Sequence, residues 1–315
     1  MRTRVLRILL AAAVSSGAFL SCGPSPEADA RADTDRAGSG TEAELLVYVV
    51  NYPLRYIAER IGGDRVSVEF PAPPDIDPAV WSPDPETVAA YQTADLILLN
   101  GAAYAGWVDR ASLPPSRQVL TTMAISDRLI VAEDAVTHTH GPEGEHAHWE
   151  VAFTTWLDPS IAIAQAAAVH EAMRVARPEA QAELQAGFAA LERDLQTLDA
   201  EMSATFGRDP DRPLLASHPV YQYLARRYGL NLVSLHLEPD EEPTGSQWRE
   251  LAEALEEHPA RWMLWEAEPL AATRTRLEEL GVGVLVFNPL GNAPAAGDYL
   301  SEMRENAGRL EAAYR

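Results

Sequence analysis

Lysine is missing from this chain: all 25 of its basic residues are arginine, set against 47 acidic ones for a formal net charge of -22. A surface so acidic repels nucleic acid and anionic lipid and draws cations towards it, which speaks against a nucleic-acid partner. Cysteine is nearly missing too. With Cys22 alone, no disulfide closes within the chain, and stability has to come from core packing. Long apolar runs are lacking: Ile8 to Leu20 is too short to span as an ordinary transmembrane helix. So are the motifs of two enzyme classes. There is no H-E-x-x-H and no G-x-S-x-G elbow. A zinc-dependent hydrolase built on His138 and His140, or on His146 and His148, therefore lacks the motif that such an enzyme would show.

What the chain does have begins with Arg2, Arg4 and Arg7 in front of that apolar run, the layout of a secretory signal. Phe19-Leu20-Ser21-Cys22 is similar to a bacterial lipobox, with Phe where Leu is usual. Cleavage after Ser21 is therefore expected to leave a lipidated Cys22 as membrane anchor on the periplasmic side. Gly23 to Thr41, rich in Ala, Asp, Gly and Ser, holds too little apolar surface to fold and reads as a flexible tether.

The organising stretch lies in the middle. Leu184, Phe188, Leu191, Leu195, Leu198 and Met202 recur in steps of four and three, one stripe along a helix from Pro178 to Phe206. Pro178 suits the first helical position, and Gly207 is expected to end the helix in the left-handed conformation. Such a helix spans roughly 40 Å at 1.5 Å per residue, more than one small domain needs. On both sides of it apolar strand runs alternate with amphipathic helices, the signature of parallel strands with right-handed crossovers. The expected fold is α/β: two lobes with mainly parallel sheets, joined by one long rigid helix, and a ligand cleft between the lobes. The parts are a signal peptide (1–21), a lipidated Cys with its tether (22–43), an N-terminal lobe with a His-rich loop at 133–150 (44–177), the linking helix (178–207) and a C-terminal lobe (208–315).

Ligands of open parallel sheets bind beyond the carboxyl ends of the strands. In the second lobe the residues following the expected strands are His218, His236, Glu266 and Asn288. Two imidazoles and a carboxylate are donors that zinc accepts, and an Asn carbonyl is a hydrogen-bonding neighbour rather than a zinc ligand. The first lobe offers Asn51, Asp75, Asp77 and Asn100. Of the 8 histidines, His138, His140, His146 and His148 crowd one loop, a composition that marks transition-metal contact in an exported protein. Each residue also has a plainer reading: His218 as a helix cap, His236 and Glu266 as a half-buried imidazole and a solvated carboxylate, Asn288 as a turn former, and the loop as a polar insertion. Trp81, Trp107, Trp149 and Trp265 either line a pocket for an organic solute or anchor the core.

Six stretches stand out: NYPLRYIAERIGGD (Asn51 to Asp64), PDPETVAAYQTADLILLNGA (Pro83 to Ala102), TWLDP (Thr155 to Pro159), SHPVYQYLARRYGL (Ser217 to Leu230), EPDEEPT (Glu238 to Thr244) and VLVFNPLG (Val284 to Gly291). In them the chain resembles the solute-receptor lipoproteins of bacterial zinc and manganese ABC importers. The resemblance implies a buried metal between the lobes, a His-rich loop before the TWLDP-like segment, an ABC importer permease as partner, and no catalysis. It also exposes a departure. Of the four ligands it implies, only His218 is present; the others fall on Ala79, Thr154 and Asn288. Two expectations follow. In the first, the metal site has moved, to His218, His236 and Glu266 completed by loop histidines among His138, His140, His146 and His148, with Asn288 and Asp77 beside it. In the second, the cleft holds an organic solute or metal chelate. The first is preferred, with zinc favoured over manganese by imidazole-rich ligation, in a monomeric receptor.

Overall fold

The computed structural model describes residues 44–131 and 151–314, together with the backbone of 137–139 and 145–147. The expected signal peptide, the lipidation at Cys22 and the tether lie outside the described residues. Two parallel sheets carry the fold. The first is built from β1 (Leu45–Val49), β2 (Val66–Glu69), β3 (Leu96–Leu99) and β4 (Gln118–Leu120), with α1 (Tyr52–Gly62) and α2 (Pro85–Tyr91) as crossovers. Its order is β2-β1-β3-β4. A hairpin of β5 (Thr137–Thr139) and β6 (Glu145–Ala147) follows, then α3 (Pro159–Ala176) and α4 (Gln181–Phe206). The second sheet comprises β7 (Leu214–Ala216), β8 (Leu232–Ser234), β9 (Trp262–Trp265) and β10 (Gly283–Val286). Helices α5 (Gln222–Tyr228), α6 (Gly245–Glu257) and α7 (Ala271–Glu279) connect them, and α8 (Tyr299–Leu310) closes the chain. Read from its other edge, this sheet runs β8-β7-β9-β10, so both sheets share one topology. Their order reverses at equivalent places, between β1 and β3 and between β7 and β9.

The helices start where side chains cap them. Asn51 accepts from Leu54 N, Asp84 from Thr87 N and Asp158 from Ser160 N, while Thr244 and Asp298 form capping boxes. Each cap satisfies a backbone donor that the first turn leaves open. The expected spine is α4, but its ends differ from expectation. Pro178 opens a short 3-10 turn, Pro178–Ala180, and the α-helix begins only at Gln181. Gly207 is not left-handed: it holds φ -71° and ψ 0°, and a Cβ there would stand 2.9 Å from the Ser203 carbonyl. Glycine ends this helix because the last turn is tight.

Leu184, Leu191, Leu195, Leu198, Met202 and Phe206 are buried on α4, which packs against α1 and α3 of the first lobe and α8 of the second. Gly187 lets α1 pass close, since a Cβ there would lie 2.4 Å from the Ile61 carbonyl. One hydrophobic cluster continues from Leu45 through the spine to Ala313, so the lobes share an interior along α4, while the second lobe keeps a further cluster of its own around Leu215, Leu251, Met263 and Trp265.

Two sets of hydrogen bonds also pin the lobes. On one side Tyr52 N donates to Gly291 O (3.0 Å), Asn292 Nδ2 to Pro73 O (2.7 Å) and Trp156 Nε1 to Pro289 O (2.6 Å). On the other, the Thr154 hydroxyl donates to Val220 O, and Tyr223 Oη donates to Ala152 O while accepting from Ile130 N. The second set grips the base of the His-rich loop, whose ends are joined by a bridge between Val131 and Val151.

Candidate functional site

Three neighbouring strands of the second sheet, β9, β7 and β8, deliver the candidate residues, and their spacing explains the convergence. Strands lie about 4.8 Å apart, so the residues just past their carboxyl ends stand within side-chain reach of one another. His218 follows the middle strand. Its Nδ1 is 3.2 Å from Glu266 Oε1, and its ring centroid is 5.7 Å from that of His236. These three expected residues are therefore brought together.

A fourth residue joins them that the sequence reading passed over. Glu238 Oε1 lies 3.7 Å from His218 Nδ1. The reason is local. Past β8 the chain stays laddered, with Leu235 N bonded to Ala216 O and Leu237 N to Ser217 O. Leu235 and Leu237 point into the core, so by the two-residue alternation of an extended chain His236 and Glu238 share the opposite face. The Leu-His-Leu-Glu alternation was the available signal.

His218, Glu238 and Glu266 keep side-chain exposures of 17%, 24% and 23%, so the site is half-enclosed. Burial pushes the Glu266 carboxyl up to about 8, helped by the charges of Glu238 and Asp77. Burial also raises Asp77 on the first lobe, against the hydrogen bond its Oδ1 accepts from Ala79 N. Asp77 as a residue keeps contact with solvent, as befits a side chain crowded by protein within an open cleft. Two carboxylates beside one imidazole, with the charge of Asp77 also reaching Glu266, form an arrangement that disfavours ionisation of the Glu266 carboxyl and that a cation relieves. Among the described residues, no three His, Cys, Asp or Glu side chains already stand as a metal shell. The His218 ring instead stands at hydrogen-bonding distance from Glu266 and at ion-pair distance from Glu238.

The other candidates fall elsewhere. Asn288 makes a turn, its Oδ1 accepting from Leu290 N while its backbone is clasped by Asn306. Asn51 and Asn100 are sealed in a buried network in which Asn51 Nδ2 donates to Asn100 Oδ1 and Gln165 joins Asn100 to Thr121. Trp107 and Trp265 are core residues, and Trp81 meets Trp107 edge-on. Ala79 is buried, and Thr154 is held by Val220. His138 and His146 are register partners in the β5–β6 hairpin; their side chains, with His140, His148 and Trp149, lie outside the described residues. Cavities of about 370 Å³ beside Tyr52 and Asp298 and of about 440 Å³ beside Pro85 and Trp107 are lined by none of His218, His236, Glu238 and Glu266.

Known proteins share this architecture. The zinc-binding lipoprotein AdcA of Streptococcus pneumoniae is 26% identical over 281 residues, covering 86% of this chain and 56% of its own length. This chain thus spans little more than half of that relative. The high-affinity zinc uptake system protein ZnuA of Bacillus subtilis is 25% identical over 287 residues, covering 85% of this chain and 87% of its own. In structure, the chain superposes on Zn(II)-bound AdcA of S. pneumoniae with TM-score 0.72 at 23% identity, over 86% of this chain and 58% of that one. It superposes on the metal-dependent lipoprotein YcdH of B. subtilis with TM-score 0.73 at 22% identity, over 86% and 99%. These likenesses confirm the two-lobed α/β fold with its long helix. The family model for the periplasmic component A of the zinc-uptake complex matches residues 47–313, and the chain belongs to that ZnuA family.

Proposed function

We propose that this protein is an extracytoplasmic receptor that captures zinc in the cleft beside its second sheet and hands it to an ABC importer permease, without catalysing a reaction. The observation that carries the reading is the gathering of His218, His236, Glu238 and Glu266 where the second sheet reverses its strand order, in a chain of the ZnuA family. Imidazole with carboxylate oxygen is a donor set suited to zinc, and the imidazoles favour it over manganese. A bare ion suits the place better than an organic chelate, because these side chains pack against one another and line neither of the two cavities described above.

Delivery needs little lobe movement. The continuous core and the hydrogen bonds on both sides of the cleft favour a small shift of packed elements over a wide hinge. The loop holding His138, His140, His146 and His148 springs from a base tied to Val220 and Tyr223, close in sequence to His218. It serves as a collector passing zinc inward. A lipid at Cys22 keeps the receptor near its permease.

Elemental analysis of the purified mature protein tests the reading. One tightly held zinc per chain is expected, lost in His218→Ala. Saturating zinc should stabilise the fold by several kcal/mol (about 4 at a thousandfold excess over Kd). A protein that takes up no zinc until an organic ligand is supplied would instead be a chelate receptor.

A further inference from the structure

Ala79 and Thr154 leave the first lobe without imidazoles at the positions where the resemblance placed them. We propose that Asp77 and Tyr104 form the first-lobe half of the ion site, the Asp77 carboxylate reaching the ion across the cleft and the Tyr104 hydroxyl holding that carboxylate or an ion-bound water. This rests on the zinc-receptor reading and gives the site a ligand from each lobe.

Tyr104 is the independent observation. Its residue is only 6% exposed, and its hydroxyl is buried with no hydrogen-bond partner. Leaving a buried hydroxyl unsatisfied costs about 1–3 kcal/mol, so a native fold that keeps one has a use for it. The hydroxyl is aimed at the cleft. A Cβ built on Gly291, from the facing loop of the second lobe, would stand 3.5 Å from the Tyr104 oxygen and 3.9 Å from Asp77 Oδ1. Both oxygens therefore border the same point, and the absence of a side chain at Gly291 keeps it open. Rings hold Tyr104 in place, Phe153 at 5.2 Å and Trp156 at 5.7 Å, both edge-on.

Asp77 is equally committed. Its Oδ1 takes the Ala79 N–H at 2.9 Å, which fixes the carboxylate. Its charge is felt by Glu266 of the second lobe and by Tyr104, so the two walls are within electrostatic range. The backbone around both positions is held in an unusual form. Ala102, Ala103 and Ala105 flank Tyr104 at φ 51°, 58° and 56°, and Leu290 precedes Gly291 at φ 61°. Left-handed alanines cost about 1 kcal/mol or more each and gather at functional sites.

The test titrates zinc alone into the full mature chain against a chromophoric chelator, for the unmodified protein, His218→Ala, Asp77→Asn and Tyr104→Phe. Asp77→Asn keeps the acceptor for Ala79 N. It is expected to retain one zinc per chain while Kd rises about 100-fold, with roughly tenfold for Tyr104→Phe, the range seen when metal-site groups are removed. His218→Ala should lose tight binding outright. Asp77→Asn binding zinc like the unmodified protein, while His218→Ala does not, overturns the inference and leaves the receptor reading standing. An unmodified protein that binds no zinc overturns both. A zinc-soaked crystal of the unmodified chain decides without any substitution: Asp77 Oδ2 at about 2.0–2.2 Å from the ion supports the assignment, and an ion ligated by second-lobe side chains alone refutes it.

Discussion

The two sheets reverse their strand order at equivalent points, and the residues there occupy matching positions. Asn51 lies two residues past β1 and Asn100 one past β3; His218 lies two past β7 and Glu266 one past β9. Each pair touches, at 3.4 Å and 3.2 Å. Yet the first pair is neutral and fully buried, held by Gln165, Thr121 and Phe153, while the second is ionisable, partly open and crowded by Glu238 and Asp77. One topology thus makes a structural knot in one lobe and, in the other, the ionisable cluster proposed as the cation site. The difference lies in burial and charge, the amide pair sealed inside the lobe and the imidazole–carboxylate pair at its partly open edge.

The strongest way to break this comparison is by zinc affinity. His218→Ala should weaken binding more than about 1,000-fold, since metal-site neighbours alone are worth 10–100-fold, and Asn51→Ala should leave Kd within about threefold. A competition titration reads both. Comparable losses from the two substitutions would mean that the first switch point also serves the ion. Stability should show the reverse. Asn100→Ala strips partners from several buried groups, and each costs about 1–3 kcal/mol if left unpaired. The urea midpoint of that variant should fall well below that of Glu266→Gln, measured without metal at neutral pH.

Much of this arrangement was written in local pattern. The buried runs at β3 and β9, the caps at Asp84 and Asp158 and the stripe on α4 follow from periodicity and capping chemistry. The edge strand β4 did not, because three half-exposed residues carry no periodicity to read. His218, His236 and Glu266 were legible as strand-end residues. Glu238 was not singled out because it follows the strand end by an extension that depends on hydrogen bonds to Ala216 and Ser217. Tyr104 was hidden for a related reason, as its loop direction is set by left-handed alanines that no residue preference announces. Nor does sequence reveal that Asn51 and Asn100 face inward, since an asparagine past a strand reads the same whether it caps, seals or binds.

A pH series sharpens the contrast at smaller amplitude. The Glu266 carboxyl is raised from 4.5 to about 8 by burial and by the neighbouring charges. Between those values the folded chain keeps a proton that the unfolded chain has lost, so the metal-free protein should lose stability as pH rises through that window and level off above it. Asp77, raised by burial, acts with the same sign. Zinc reverses the trend because it needs the ionised carboxylate, so affinity should climb with pH over the same range and binding should release protons. Calorimetry in buffers of different ionisation enthalpy counts them. Glu266→Gln should flatten the metal-free slope, and Asn100→Ala, whose pair cannot ionise, should lower stability by an amount independent of pH.

The smallest expected effect belongs to the loop. Deleting 138–148 removes the proposed collector while leaving His218, His236, Glu238, Glu266 and Asp77 in place, so equilibrium affinity should change by less than about threefold, or about 0.7 kcal/mol. Loading should change more than affinity, because an acidic chain with a histidine-rich collector raises the local concentration of zinc near the cleft. Stopped-flow mixing with zinc at low ionic strength separates the two. A slower association with unchanged Kd requires an equally slowed release, so the deletion should lengthen the zinc residence time by the same factor. Should Kd instead rise by two orders of magnitude, a loop histidine is a ligand of the resting site, and the second sheet does not complete the shell without it.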